Sequence, residues 1–398
     1  MRRLLLAALM VFGATACTEK LTTPGGCPAL CPGGQPEVRD TTIDALFGLD
    51  SSFAGYSSLV DASSLPLSNG GALGESRAVI RFLPRGDSVT VADTTYPLAI
   101  DSVIIRMGLQ DREPTISGLA VELYRLDADV DSSITWPELT AQMVPERLLK
   151  TFEIPDTLLR GPIVFRFTGA DLAKLAYTPE DSTRLVIGVR LVAPVVGAGA
   201  YIGAVRAGEA GVFYQSWATV PVVDTALRHP LVQRSPARNF TVQPAPTPVT
   251  STQLLIGGRP ASRALIRFAL PDYLRDSVTI IRATLELTVD APLVGLTGDS
   301  TRIDVNPILT DFGAKSVAFV NEGGTTWIHP GDGTISLEMT RLVRLWQGTT
   351  PLPAIVRVRH AFEWSSFINP ILRSTRSAGA GAPRIRITYR PPFAVEGF

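Results

Sequence analysis

The chain has 398 residues, 45% hydrophobic and 19% charged, which is enough apolar material for more than one buried core. Its 37 basic and 37 acidic residues cancel, which excludes a bulk basic field of the kind that draws proteins onto nucleic acid. With 34 Gly, 31 Pro and many short β-branched runs, the sequence is punctuated like an all-β protein.

Residues 1–16 open with Arg2 and Arg3, run apolar from Leu4 to Phe12 and end in small residues before Cys17. That is the pattern of a secretory signal, too short to span a membrane. Two cleavages fit: an Ala-x-Ala site, or a lipobox ending in Cys17 with Ala14 where Leu is commoner. The chain has three cysteines, so acylating Cys17 leaves Cys27 and Cys31 as an even pair in an oxidising compartment. The expectation is a lipoprotein, secreted across the inner membrane and held by its anchor alone. Thr18 behind the cysteine directs it to the outer membrane or the cell surface. Loss of Arg2 and Arg3 with the signal leaves 35 basic against 37 acidic residues, again no partner for nucleic acid. Residues 17–39 are too rich in Pro and Gly to bury a core and read as a tether, with a Cys27–Cys31 disulfide closing a short loop.

Downstream, one phrase occurs twice: RAVIRFLP from Arg77 and RALIRFALP from Arg263. Ala78, Ile80 and Phe82, like Ala264, Ile266 and Phe268, alternate with Arg77, Val79, Arg81 and Arg263, Leu265, Arg267, the period of a strand. Further pairs follow in the same order: DSVIIRMGLQ and DSVTIIRATLEL, GPIVFRFTGADLAKLA and GTISLEMTRLVRLWQG, LVIGVRL and AIVRVRH, SPARNFTVQPAP and GAPRIRITYRPP. A duplicated domain results, with a first module at 40–243, a Pro-rich linker at 244–251, a second module at 252–392 and a tail at 393–398. Short helical pieces are expected at 171–176 and 340–346.

The succession SRALIRFALP, RATLELTV, GTISLEMTRLVRLW and APRIRITYRPP resembles the DNRLRE, or disaggregatase-related, family of bacterial surface β-sandwich modules. The second half matches along nearly all its length and the first more loosely. The resemblance implies two tandem jelly-roll-like antiparallel β-sandwiches joined by the linker. It also implies a non-catalytic carbohydrate-binding role, some members being similar to alginate-binding modules. These motifs are mostly core positions, so they mark the fold better than the ligand.

Several residues carry sharper readings. Arg357 and Arg359 alternate away from Val356 and Val358, and Arg384 and Arg386 away from Ile385 and Ile387. With Arg263 and Arg267 they would form a cationic platform for an anionic polysaccharide, or else ordinary cross-strand pairs with residues such as Glu286 and Asp304. Trp327 and Trp364, with Tyr214 and Trp217, lie in Gly- or Ser-bearing stretches and could stack on sugars or pack under loops. Asp127, Asp129, Asp131 and Glu138 have the spacing of a calcium loop, the one cofactor the sequence suggests. Ser132 stands where that loop needs glycine, however, and residues 119–126 alternate like a strand. His229, His329 and His360 sit in unrelated contexts, with no nucleophile elbow or zinc-binding pair, so no enzyme is expected. The alternatives are a surface scaffold that contacts other proteins and, third, a polysaccharide-active enzyme built on paired carboxylates.

The anchor is directly testable. Mass spectrometry of the N-terminal peptide from native envelope material is expected to find a chain beginning at acylated Cys17; an unmodified Cys17 thiol overturns the lipoprotein reading.

Overall fold

The computed structural model describes residues 38–391 apart from 55–57, 59, 61, 85–87, 92, 98, 176–183, 205–211, 223–224, 235, 246–247, 276–277, 348–351 and 379–380. The signal, most of the tether and the calls on Cys17, Cys27 and Cys31 lie outside these residues. Every strand pairing described is antiparallel, and the chain is all-β as expected.

Two separate cores account for two sandwiches. In the first, Glu75–Phe82 pairs with Val186–Val192, which pairs in turn with Ala120–Leu126. Facing it, Ala99–Arg112 pairs with Gly161–Thr168 on one edge and with Gly199–Gly203 and Phe213–Val222 on the other. Ala78, Ile80, Phe82, Ile105, Met107, Phe165 and Phe167 fill the space between. In the second, Thr279–Thr288 lies between Arg384–Arg390 and Thr334–Glu338. It faces a sheet in which Ile355–His360 lies between Ser262–Arg267 and Thr301–Thr310. Ala264, Ile266, Val356, Val358, Ile385 and Ile387 are fully buried there, and the helix Thr340–Trp346 inserts Trp346 into the same core. The repeated phrase is thus the same inner strand in both sandwiches, with the inward set that its period of two requires.

The module boundaries need a correction. Arg39–Asp44 pairs with Arg384–Arg390, and Ser51–Ala54 pairs with Ser262–Arg267, so the segment expected to begin the first module belongs to the second. In the first sandwich the same two places are taken by later strands. Thr225–Arg234 pairs outside Phe213–Val222, and Pro236–Val242 pairs outside Glu75–Phe82. The first sandwich closes on its own C-terminal strands, and the second closes on the N-terminal strands of the chain. It follows that SPARNFTV and RIRITYR are not counterparts: one lies beside Glu75–Phe82 and the other beside Thr279–Thr288. Alternating Arg and apolar residues report which face points inward, not which neighbour supplies the hydrogen bonds, and order along the chain misled on that point.

Asp50 fixes the N-terminal segment in place. Its side chain is fully buried, accepting from Thr375 N–H (2.7 Å), Thr375 Oγ1 (2.6 Å) and Ser374 Oγ (3.2 Å). Arg376 adds bonds to the carbonyls of Asp50 and Gly48.

The sandwiches also touch. Tyr201 donates to Asp299 Oδ2 (2.6 Å) and accepts the Phe367 N–H (3.0 Å), its ring 4.8 Å from that of Phe367. Arg259 is buried, donates to the carbonyls of Leu73 (3.1 Å) and Pro66 (3.4 Å), and lies 5.0 Å over Phe367. Burial lowers its pKa to about 10, while burial raises that of Asp299. Glu113 receives both Thr297 N–H (3.0 Å) and Thr297 Oγ1 (2.8 Å) across the same junction. The junction is therefore a packed, hydrogen-bonded contact.

Asp50→Ala strands the donors of Ser374 and Thr375 in the interior. It is expected to destabilise the second sandwich by about 3 kcal/mol, visible as earlier urea unfolding of the Trp346 core, with hydrogen exchange of the first core unchanged.

Candidate functional site

The residues best placed to meet a ligand lie around the loop that follows Ile355–His360 and enters the junction. His360 is fully buried at its base. Its Nδ1 accepts the Phe362 N–H (3.0 Å), so the proton sits on Nε2, which lies 2.8 Å from Thr301 Oγ1. Burial pushes its pKa down to about 4. Arg263 then grips Glu363 with two bonds of 2.6 and 2.8 Å, between Phe362 and Trp364. Trp364 adopts φ 65°, a conformation that bulky side chains rarely take, and its N–H is bound by the Gly258 carbonyl. Such a residue persists only where its surroundings dictate it, and strain of this kind concentrates at functional sites.

Two grooves flank this loop. The first, about 350 Å³, is lined by Trp364 and Pro260 from the second sandwich and by Ile134, Trp136, Pro137, Val242 and Pro244 from the first; Ser132, Thr135 and Gln243 add hydroxyl and amide groups. Trp136 opens the helix Trp136–Gln142, whose start is fixed by a capping box in which Thr135 N–H and Oγ1 both reach Glu138 Oε2 at 2.8 Å. The Arg77 guanidinium lies 4.4 Å over the Trp136 ring and is itself tied to Glu75 and Thr140. The second groove, about 270 Å³, contains Ser63, Asp111, Arg160, Asp299 and Phe362. Asp299 is engaged by Tyr201 and by Ser300 N–H, and Asp111 pairs with Arg160 at 2.8 Å. Trp327 is exposed on Gly324–Ile328, its ring 6.1 Å from that of Phe362.

The expected arginine platform is not one surface. Arg263, Arg267, Arg357 and Arg359 are on the outer face of one sheet, and Arg384 and Arg386 on the outer face of the other, across the core. Each has a partner: Glu363 for Arg263, Asp311 for Arg267 (2.7 Å twice), Asn306 for Arg357, Asp304 for Arg359, and Glu286 for both Arg384 and Arg386. Asp304, Asn306 and Glu286 meet arginines from adjoining strands, as the ordinary cross-strand reading expects, whereas Glu363 and Asp311 reach theirs from the loops that follow two strands.

The calcium expectation is also corrected. Asp127 pairs with Arg147 (2.7 Å), Asp131 Oδ1 takes Ser133 N–H (2.8 Å) and Oγ (2.6 Å), and Glu138 caps the helix. Those hydrogen bonds hold the carboxyls of Asp131 and Glu138 below their usual range. Among the described residues no group of three His, Cys, Asp or Glu could hold a metal. The Thr135–Glu138 spacing was the capping signal that outweighed the calcium pattern. Tyr214 and Trp217 lie on the strand Phe213–Val222, not in a loop.

No family model and no curated protein matches the chain. Among solved structures it is similar to the N-terminal CBM22-1-CBM22-2 tandem domain from Paenibacillus barcinonensis Xyn10C, at 9% identity over 85% of this chain and 100% of that one, TM-score 0.14. It is also similar to the Macrobrachium rosenbergii nodavirus, at 11% identity over 94% of this chain and 98% of that one, TM-score 0.15. Likenesses of this degree carry nothing about ligand.

The loop's dependence on neutral His360 gives a pH signature. The unfolded imidazole takes up its proton near pH 6.5 and the folded one only near 4. Stability is therefore lost as pH falls through that window, by about 3 kcal/mol in all. Urea unfolding at a series of pH values is expected to show this slope in the native chain, and a flatter one in His360→Gln.

Proposed function

We propose that the protein is a non-catalytic polysaccharide-binding protein of the bacterial envelope, held at the membrane by an acylated Cys17, with the sugar chain seated in the Trp136–Trp364 groove. The observation that carries this reading is the pair of indoles, one from each sandwich, on a single open groove, with Trp364 held at a strained φ. Sugar rings present C–H faces that stack on indoles and hydroxyls that suit Ser132, Thr135 and Gln243. The groove's described lining has no ionisable side chain, which favours neutral stretches of polysaccharide. The resemblance to disaggregatase-related modules points to the same ligand class.

A second reading, a scaffold docking to another envelope protein, rests on a different observation. Phe312, Val317 and Val320 are exposed at one end of the second sandwich, as are Phe47 and Leu49, and Arg267 joins the two stretches by bonding Asp311 and the Leu49 carbonyl.

A polysaccharide array on the soluble chain separates them. Trp136→Ala and Trp364→Ala are each expected to weaken binding to a neutral glycan about tenfold. Raising salt from about 0.05 to about 1 M should change that affinity little. Unchanged affinity in both variants overturns the groove assignment, and loss of partner capture in Phe312→Ser with glycan binding intact supports the scaffold.

A further inference from the structure

The cations that sequence singled out are all paired, and a different set is not. Arg81 on Glu75–Phe82, Arg238 on Pro236–Val242 and Arg184 just before Val186–Val192 line one groove of about 240 Å³, floored by Phe82, Leu83 and Pro84. None of the three makes a hydrogen bond or ion pair among the described residues. Asp131 feels Arg81 and Arg238 electrostatically, but its Oδ1 is already taken by Ser133.

Register brings them together. Arg81 stands opposite Arg238 on one side and opposite Val186 on the other, two residues from Arg184. Like charges directly opposite one another on adjacent strands repel, and in the second sandwich each outward arginine of the repeated strand is neutralised by an acidic neighbour. Three guanidinium groups with apolar residues between them instead leave their fork-shaped donors unspent, and those donors match the paired oxygens of an oxyanion.

We propose that Arg81, Arg184 and Arg238 form an oxyanion-binding site on the first sandwich, taking a carboxylate, sulfate or phosphate group. The site is separate from the aromatic groove. Both lie along Pro236–Val242, and the four residues from Arg238 to Val242 set them about 13 Å apart. The oxyanion is either a free inorganic ion or an acidic group on a polymer lying along that strand, and the guanidinium chemistry is common to both.

Thermal unfolding and calorimetric titration of the full chain test this. With inorganic phosphate at constant ionic strength, the native chain is expected to melt several degrees higher by mass action. Arg81→Gln and Arg238→Gln should melt no lower than the native chain without phosphate, because a repulsion has been removed, and should lose the phosphate-dependent rise. Titration with polygalacturonate separates the sources. At least tenfold tighter binding per anionic group than inorganic phosphate, falling steeply with salt, assigns the site to an acidic polymer; equal affinity assigns it to the free ion. Two results overturn the proposal: no binding of either probe to the native chain, or variants that melt lower without anion yet keep the phosphate-dependent rise, which would make the arginines structural. Neutral-glycan binding in the same variants is expected to be unchanged, so failure here leaves the aromatic groove standing.

Discussion

A sheet edge with unpaired backbone groups must be closed by something, and in this chain that demand sets the architecture. The second sandwich satisfies it with Arg39–Asp44 and Ser51–Ala54, strands that precede the whole first sandwich in sequence. The first sandwich is therefore inserted between two parts of the second. Arg39 lies opposite Tyr389, so the start and end of the described chain meet on one sheet. Whatever the N-terminal segment is fastened to is fastened to the second sandwich, and the chain crosses the junction on both sides of the first.

That double crossing helps explain a junction tight enough to bury Arg259 and Tyr201 against a half-buried Asp299. Buried polar groups of this kind are costly unless most of their hydrogen bonds are made: Tyr201 binds Asp299 and Arg259 binds two carbonyls from one sandwich to the other, while Arg259 Nε has no partner among the described residues. The loop after His360 is shaped by the same contact: neutral His360 fixes its start, Arg263 fixes Glu363, and Ser365 binds Ser63 and Ser64 of the first sandwich. Phe362 and Trp364, two residues apart, are thereby turned into different grooves. Neither groove exists in an isolated sandwich.

Charge follows the same logic of neighbours. Arg267 and Arg81 occupy the same place in the matching phrases RALIRF and RAVIRF, yet one is spent on Asp311 and the other faces Arg238. The difference lies entirely in what stands alongside. Asp304 and Glu286 neutralise the second sandwich's arginines from adjoining strands, whereas the strand beside Arg81 supplies another arginine.

Along its length the sequence carries the all-β class, the recurring strand phrase and the inward faces, because burial acts on a period of two that each strand holds within itself: Val356 and Val358 are inside, and Arg357 and Arg359 outside. It also held the capping box at Thr135 and Glu138, a local signal that the more conspicuous aspartate spacing obscured. Packing in three dimensions chose which edge Arg39–Asp44 closes, which arginines find partners, and that Trp136 and Trp364, 228 positions apart, line one groove. Those outcomes depend on pairing between strands distant in sequence. Backbone hydrogen bonds are the same for every residue, so no side-chain pattern along the chain specifies them.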